Sequence, residues 1–230
     1  DDDGRLESAD CGAGVVTYGY DANGNRLTRT SAAGVETAVY DDQDRLLLTT
    51  LPNGDSIDWD YSADGWVSGR TRADASANVL ADDTFTYDAE GQLRSATVGG
   101  QTVTYGYDPM GRRVTRTLNG GVTHRWSYGP TSASPLAEVD AAGAVVTAFT
   151  YRGGGGLPAL VTRAGVTYEV LSDHLGSYRG LVEVATGGVS GVVSYDEYGR
   201  LTAGEIPEWM PFGWAGSGST GSPSIPPRIT

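Results

Sequence analysis

The chain has 230 residues, 39% of them hydrophobic and 9% aromatic, with 29 acidic residues against 16 basic ones and a net charge of −13. Such acidity repels phosphate backbones and anionic bilayers, so no nucleic-acid partner is expected. No apolar run, including the longest around Val145–Phe149, approaches the ~20 residues of a membrane helix. The lone Cys11 excludes an internal disulfide, and two histidines with one cysteine make no convincing zinc site.

The chain opens on Asp1-Asp2-Asp3-Gly4-Arg5, read as charge that blunts a sheet edge. No signal peptide is visible, and a start on Asp reads as a processed product or an excised fragment, which leaves export open. Val15-Val16-Thr17-Tyr18-Gly19-Tyr20 alternates its side chains as a strand does and runs into Asp21, whose carboxylate can accept backbone N–H groups two residues on and hold a turn. Gly24, three residues later, supplies the left-handed conformation of a short hairpin loop. Thr-rich sequence from Leu27 starts the return strand.

This unit recurs. Tyr20-Asp21 with Gly24, Tyr87-Asp88 with Gly91, Tyr107-Asp108 with Gly111 and Tyr195-Asp196 with Gly199 are clear copies; Tyr40-Asp41 and Tyr61-Ser62 head weaker ones. Tyr20, Tyr40, Tyr61, Tyr87 and Tyr107 are 20, 21, 26 and 20 residues apart. A fixed period of this length marks a repeat architecture whose units bury their apolar faces only against neighbours. No window shows a helical apolar period, and 34 glycines and 10 prolines are scattered too densely for long helices. The predicted class is all-β: repeated antiparallel hairpins forming an arc or part of a hollow β-shell, with positive φ at Gly24, Gly91, Gly111 and Gly199.

Beyond Pro135 the rhythm changes. Three segments are expected: a hairpin array over 1–134, a distinct end of the shell over 135–216 containing Asp173-His174-Leu175-Gly176-Ser177, and a Gly/Ser/Pro-rich, linker-like tail over 217–230.

These motifs carry a resemblance. The Tyr-Asp-x-x-Gly repeats, Leu136-Ala137-Glu138-Val139-Asp140, Asp173–Ser177, Tyr195–Arg200 and Pro211-Phe212-Gly213-Trp214-Ala215-Gly216 resemble the YD-repeat or Rhs family, specifically its Rhs-associated core, over about residues 15–216. The resemblance implies a β-hairpin ribbon wound into a hollow shell, as in bacterial polymorphic toxins, the C component of insecticidal toxin complexes and the teneurins. In the toxins it further implies an enclosed C-terminal toxic domain released by self-cleavage. After Gly216 the family's continuing motifs give way to the Ser217–Pro227 tail, so no self-cleavage residues are carried over. Size agrees with a partial wall. A ~100-residue cargo is ~35 Å across, its wall needs about 30 strands at ~4.8 Å, and this chain supplies roughly 20.

Asp173-His174 is the one acid–histidine pairing of note, but as adjacent strand residues they would face opposite ways, with no nucleophile motif beside them. His124 reads as a strand residue. Gly153–Gly156 lacks the Lys-Ser/Thr of a phosphate cradle, and Asp21-Ala22-Asn23-Gly24-Asn25 lacks the sixth-position Gly and closing Glu of a calcium loop. Trp59, Trp66, Trp126, Trp209 and Trp214 fit core or inter-repeat stacking better than a sugar platform. No catalytic residue, cofactor or metal is therefore expected. The first reading is a non-enzymatic scaffold for enclosure, assembly or display in a bacterial toxin-delivery or cell-surface protein, secreted or surface-bound. Its partners would be the rest of a larger polypeptide or further copies, with an enclosed toxin domain or surface glycans as further candidates. The alternative is an extracellular carbohydrate- or receptor-binding module, and the third a fragment of a self-processing precursor. Trp209, Pro211, Phe212 and Trp214 are expected to be buried as a plug or docking segment.

Overall fold

The computed structural model describes residues 1–10, 14–153 and 156–213. These carry twenty strands, and no helix occurs among the described residues. The chain divides into two compact units, Asp1–Thr102 and Val103 onward.

The first unit holds β1 (Ser8–Asp10), β2 (Val15–Tyr20), β3 (Arg26–Ser31), β4 (Gly34–Tyr40), β5 (Leu46–Thr50), β6 (Ser56–Tyr61), β7 (Val67–Ala73), β8 (Val79–Tyr87) and β9 (Leu93–Val98). Each pairs antiparallel with the next. The long ladders break register one residue before the turn, as between Gly19 and Tyr20 or Val39 and Tyr40. Such bulges re-aim the terminal side chain. The buried face is thin and charged. Tyr18, Phe85 and Ala96 are buried beside Glu36, Asp55 and Asp83, which pair with Arg26 at 3.2 Å, Arg72 at 2.8 Å and Arg70 respectively. The opposite face carries Val and Thr, such as the exposed Val35 and Val39.

The second unit holds β10 (Gln101–Tyr107, from Val103), β11 (Arg113–Leu118), β12 (Gly121–Tyr128), β13 (Pro135–Val139), β14 (Val145–Thr150), β15 (Leu160–Arg163), β16 (Val166–Ser172), β17 (Tyr178–Glu183) and β18 (Val189–Ser190), again an antiparallel meander. A separate hairpin joins β19 (Ser194–Tyr195) to β20 (Leu201–Ala203). Its core is richer. Trp126, Phe149, Val161, Tyr178 and Leu181 from the strands pack around Met210 and Phe212.

One reading of the sequence needs correction here. Asp173 and His174 are not strand residues: they sit in the turn between β16 and β17, where Asp173 caps the backbone and His174 is exposed. Asp1–Arg5 forms a turn, with Gly4 N–H on the Asp1 carbonyl and Arg5 N–H on Asp1 Oδ1. Trp214 and the 217–230 tail lie outside the described residues.

Candidate functional site: the turn latch and the buried end segment

One local device recurs down the chain. In the Asp21 turn the Asp21 N–H donates to the Asn25 carbonyl at 3.0 Å and Gly24 N–H to the Asp21 carbonyl at 3.2 Å. Asp21 Oδ1 accepts the N–H groups of Asn23 and Asn25, and Oδ2 accepts the Asn25 side chain. Asp41 and Asp108 do the same, with Arg45 and Arg112 in place of Asn25, each Nε donating to Oδ2 at 2.7 Å. Asp196 pairs with Arg200 in the same way, and Asp173 with Arg179. Gly24, Gly91, Gly111, Gly176 and Gly199 stand at φ 92°, 74°, 77°, 77° and 82°, the left-handed region the loop demands. At Gly91 a side chain is also refused by space, since a Cβ would lie 2.3 Å from Trp66 Cζ2, whose ring stacks on Tyr87 at 5.4 Å.

These bonds stabilise the ionised carboxylates. The Asn25 side chain holds Asp21 below the ordinary carboxylate range, the Arg45 backbone N–H does so first for Asp41, and the Arg112 side chain for Asp108. Burial works against Asp173, but the N–H groups of Ser177 and Leu175 outweigh it. With its oxygens so engaged, the Asp21 loop is a turn, and among the described residues no cluster of His, Cys, Asp or Glu could hold a metal ion.

The repeat arginine also reaches the next repeat. Arg5, Arg45 and Arg112 lie over the rings of Tyr20, Tyr61 and Tyr128 at 5.4, 4.9 and 4.8 Å. Each of those tyrosines donates its hydroxyl to the carbonyl one residue beyond the arginine: Leu6 and Leu46 at 2.8 Å, Arg113 at 2.7 Å. Tyr40 and Tyr151 likewise bond the Arg26 and Pro135 carbonyls. Asp, Arg and the following Tyr thus form a latch between successive hairpins, built from a charge-assisted fork, a cation–π contact and a hydroxyl bond. Tyr195 lies under Arg179 in the same manner, whereas Tyr87 stacks on Trp66. That arginine packs flat on tyrosine faces was legible in an all-arginine basic set; its fork onto the turn Asp was not, although the Arg at the fourth position after Asp was the visible signal. The turns at Asp1, Asp74 and Asp140 went unread as well.

In the second unit a polar row crosses the sheet. Glu138 lies opposite Trp126 and Thr147, and Thr147 opposite Arg163. Glu138 accepts His124 Nδ1 at 2.7 Å, Thr147 Oγ1 at 2.8 Å and Arg163 Nη1 at 2.6 Å. Burial alone would raise its pKa; these partners turn the shift downward. The end segment lies on this row. Arg163 sits over Trp209 at 5.5 Å, Trp209 tilts against Tyr168 at 6.1 Å, and Phe212 meets Phe149 edge-on at 5.8 Å. Pro211 is buried, and the Gly213 carbonyl accepts the Tyr178 N–H at 3.0 Å.

The recurring Asp turn, with its arginine latch at Arg5, Arg45 and Arg112, is the defining feature, and the teneurin YD-shell family model matches residues 1–217. The chain belongs to that family. A curated relative, the tRNA3(Ser)-specific nuclease WapA of Bacillus spizizenii, is 29% identical over 197 residues, 83% of this chain and 8% of its own length. Teneurin-1 of Mus musculus is 28% identical over 217 residues, 91% of this chain and 7% of its own. The crystal structure of TcdB2-TccC3 aligns with 86% of this chain and 14% of its own at 16% identity and a TM-score of 0.43. The chain thus spans less than a tenth of the length of these two curated relatives.

The expectation that the protein is not an enzyme is overturned by these comparisons, because relatives sharing this stretch are named tRNA nucleases. The same names attach tRNA to those relatives. The net charge of −13 belongs to this stretch and not to such whole proteins.

Proposed function

We propose that the chain is a stretch of wall in a YD shell belonging to a longer, toxin-bearing polypeptide that is secreted or displayed at the bacterial surface. The observation that carries this is the latch, which at Arg5, Arg45 and Arg112 joins one hairpin to the next and is suited to extending a wall. Within it, residues 1–134 serve as the repeating array, 135–216 as the end of the shell and 217–230 as a linker. Trp209, Pro211 and Phe212 hold that end against the strands. By the names of its WapA relatives, the longer polypeptide acts on tRNA.

The test uses the full-length polypeptide. All 16 basic residues are arginine, so trypsin probes the latches directly. Arg5, Arg45 and Arg112 should resist cleavage under native conditions, and tRNA incubated with the polypeptide should be cut. Cleavage at those arginines as fast as in the denatured chain would sink the wall, and intact tRNA would sink the nuclease assignment.

A further inference from the structure

The sequence holds three Asn-Gly pairs, Asn23-Gly24, Asn53-Gly54 and Asn119-Gly120. An asparagine side chain is thermolabile because the next backbone nitrogen can attack its amide carbon, and a following glycine, with no Cβ, leaves that path open. Two of the pairs are held against this reaction. The Gly24 N–H donates to the Asp21 carbonyl at 3.2 Å and the Gly54 N–H to the Leu51 carbonyl at 2.9 Å. Their asparagines are engaged as well: Asn23 Nδ2 donates to Asp44 Oδ1 at 2.8 Å, and Asn53 Oδ1 accepts the Asp55 N–H at 3.1 Å. A nitrogen whose proton is already donated reacts only after the turn opens.

The third pair is built differently. Asn119 and Gly120 are the two loop residues of the hairpin between β11 and β12, where Leu118 faces Gly121. Their φ values of 47° and 86° are those of a primed two-residue turn, whose closing bond is made by the flanking residues and not by the second loop residue. Among the described residues no acceptor takes the Gly120 N–H. Both residues are exposed, and a Cβ built on Gly120 would meet nothing within 4 Å, so water reaches the pair. Gly99-Gly100 at φ 57° and 76° and Ala164-Gly165 at 49° and 80° make the same turn without a side-chain amide.

We propose that Asn119 is a site of spontaneous deamidation in the folded protein, with the Gly120 nitrogen as nucleophile and water as co-reactant. The Gly120 nitrogen gives its proton to solvent base and bonds to Asn119 Cγ; the Cγ–Nδ2 bond breaks, and Nδ2 leaves as ammonia with a proton from water. Water then adds to one carbonyl of the cyclic imide. Addition at Cγ restores the backbone and leaves aspartate, whereas addition at the Asn119 backbone carbonyl leaves isoaspartate, with the chain running on through Cγ. Aspartate suits this turn as asparagine does. Isoaspartate adds a methylene between Leu118 and Gly121 and disturbs the register that sets Arg116 opposite His124.

The test ages the full-length polypeptide in mildly alkaline buffer, folded and in urea, and reads the amide-to-acid mass gain by tryptic mapping. Cleavage at arginine places the three pairs on separate peptides, residues 6–26, 46–70 and 117–125, and fragment ions separate Asn23 from Asn25. In the folded protein Asn119 should convert about tenfold or more faster than Asn23 and Asn53, partly to isoaspartate, and in urea the three should convert within about threefold of one another. Equal rates at the three sites in the folded protein, or slower conversion at Asn119 than at Asn23 or Asn53, overturn the proposal. So does an Asn119 advantage that survives undiminished in urea, which would assign it to neighbouring sequence and not to the turn. Asn119→Asp should leave amide exchange across β12 unchanged while the isoaspartyl fraction exchanges faster there; identical exchange in the two overturns the register disturbance.

Discussion

At the scale of single residues, the turns separate two demands on glycine that coincide elsewhere. Gly24 faces open space at φ 92°, whereas Gly91 at φ 74° also lies under the Trp66 ring. Gly24→Ala should cost about 1 kcal/mol of backbone strain, while Gly91→Ala adds a steric clash and should cost about 2–4 kcal/mol; urea denaturation of both variants checks the difference. Tyr128→Phe removes only the hydroxyl bond to the Arg113 carbonyl and should cost about 1 kcal/mol with the Arg112 contact retained. The turn carboxylates set the response to acid. Asp21, Asp41, Asp74, Asp108 and Asp173 are all held below their ordinary pKa. The stability they contribute is therefore complete above the unfolded value of about 3.9 and is lost as pH falls through the lower folded values. Calorimetry should show little acid dependence from these groups between pH 7 and 5 and a falling Tm below about pH 4; a Tm that rises on acidification below pH 4 contradicts it.

At the scale of elements, the polar row and the end segment make different kinds of contact. Glu138→Ala leaves His124, Thr147 and Arg163 facing a lost buried acceptor and should cost about 3 kcal/mol. Coupling to Arg163→Ala in a double-mutant cycle would assign part of that cost to the pair. Phe212→Ala opens a cavity against Phe149 and Tyr151 and should cost about 3–5 kcal/mol, together with faster quenching of Trp209 fluorescence. The hairpins were legible in the sequence because each is encoded within about ten residues, by a strand period, an Asp and a Gly. The Asp74 turn was not, since Ala77 takes the left-handed place of Gly at φ 62° and no tyrosine precedes it. The row around Glu138 was hidden for another reason: its members come together only through the register of four strands. Burial near Trp209 was expected from its apolar character, but not its partners, because Phe149 and Tyr168 lie some forty to sixty residues earlier in the chain.

At the scale of the whole molecule, stability is carried from neighbour to neighbour, so damage should stay local. Asp41→Ala should speed amide exchange in β4, β5 and β6 and leave β14 to β17 unchanged; uniform acceleration along the chain would contradict such an array. The sameness of the latches has a kinetic price. A strand that pairs one repeat out of place still finds an Asp turn, an arginine and a tyrosine in nearly the right positions, so slipped pairings lie close in energy to the native one and trap the folding chain. The irregular turns break that degeneracy. Asp44 at φ 60° in a glycine position, Ala77 at φ 62° and Ser62 in an aspartate position each mark one hairpin as different from its neighbours. The imperfect copies thus act as address labels, lowering local stability while making one alignment of the repeats kinetically reachable.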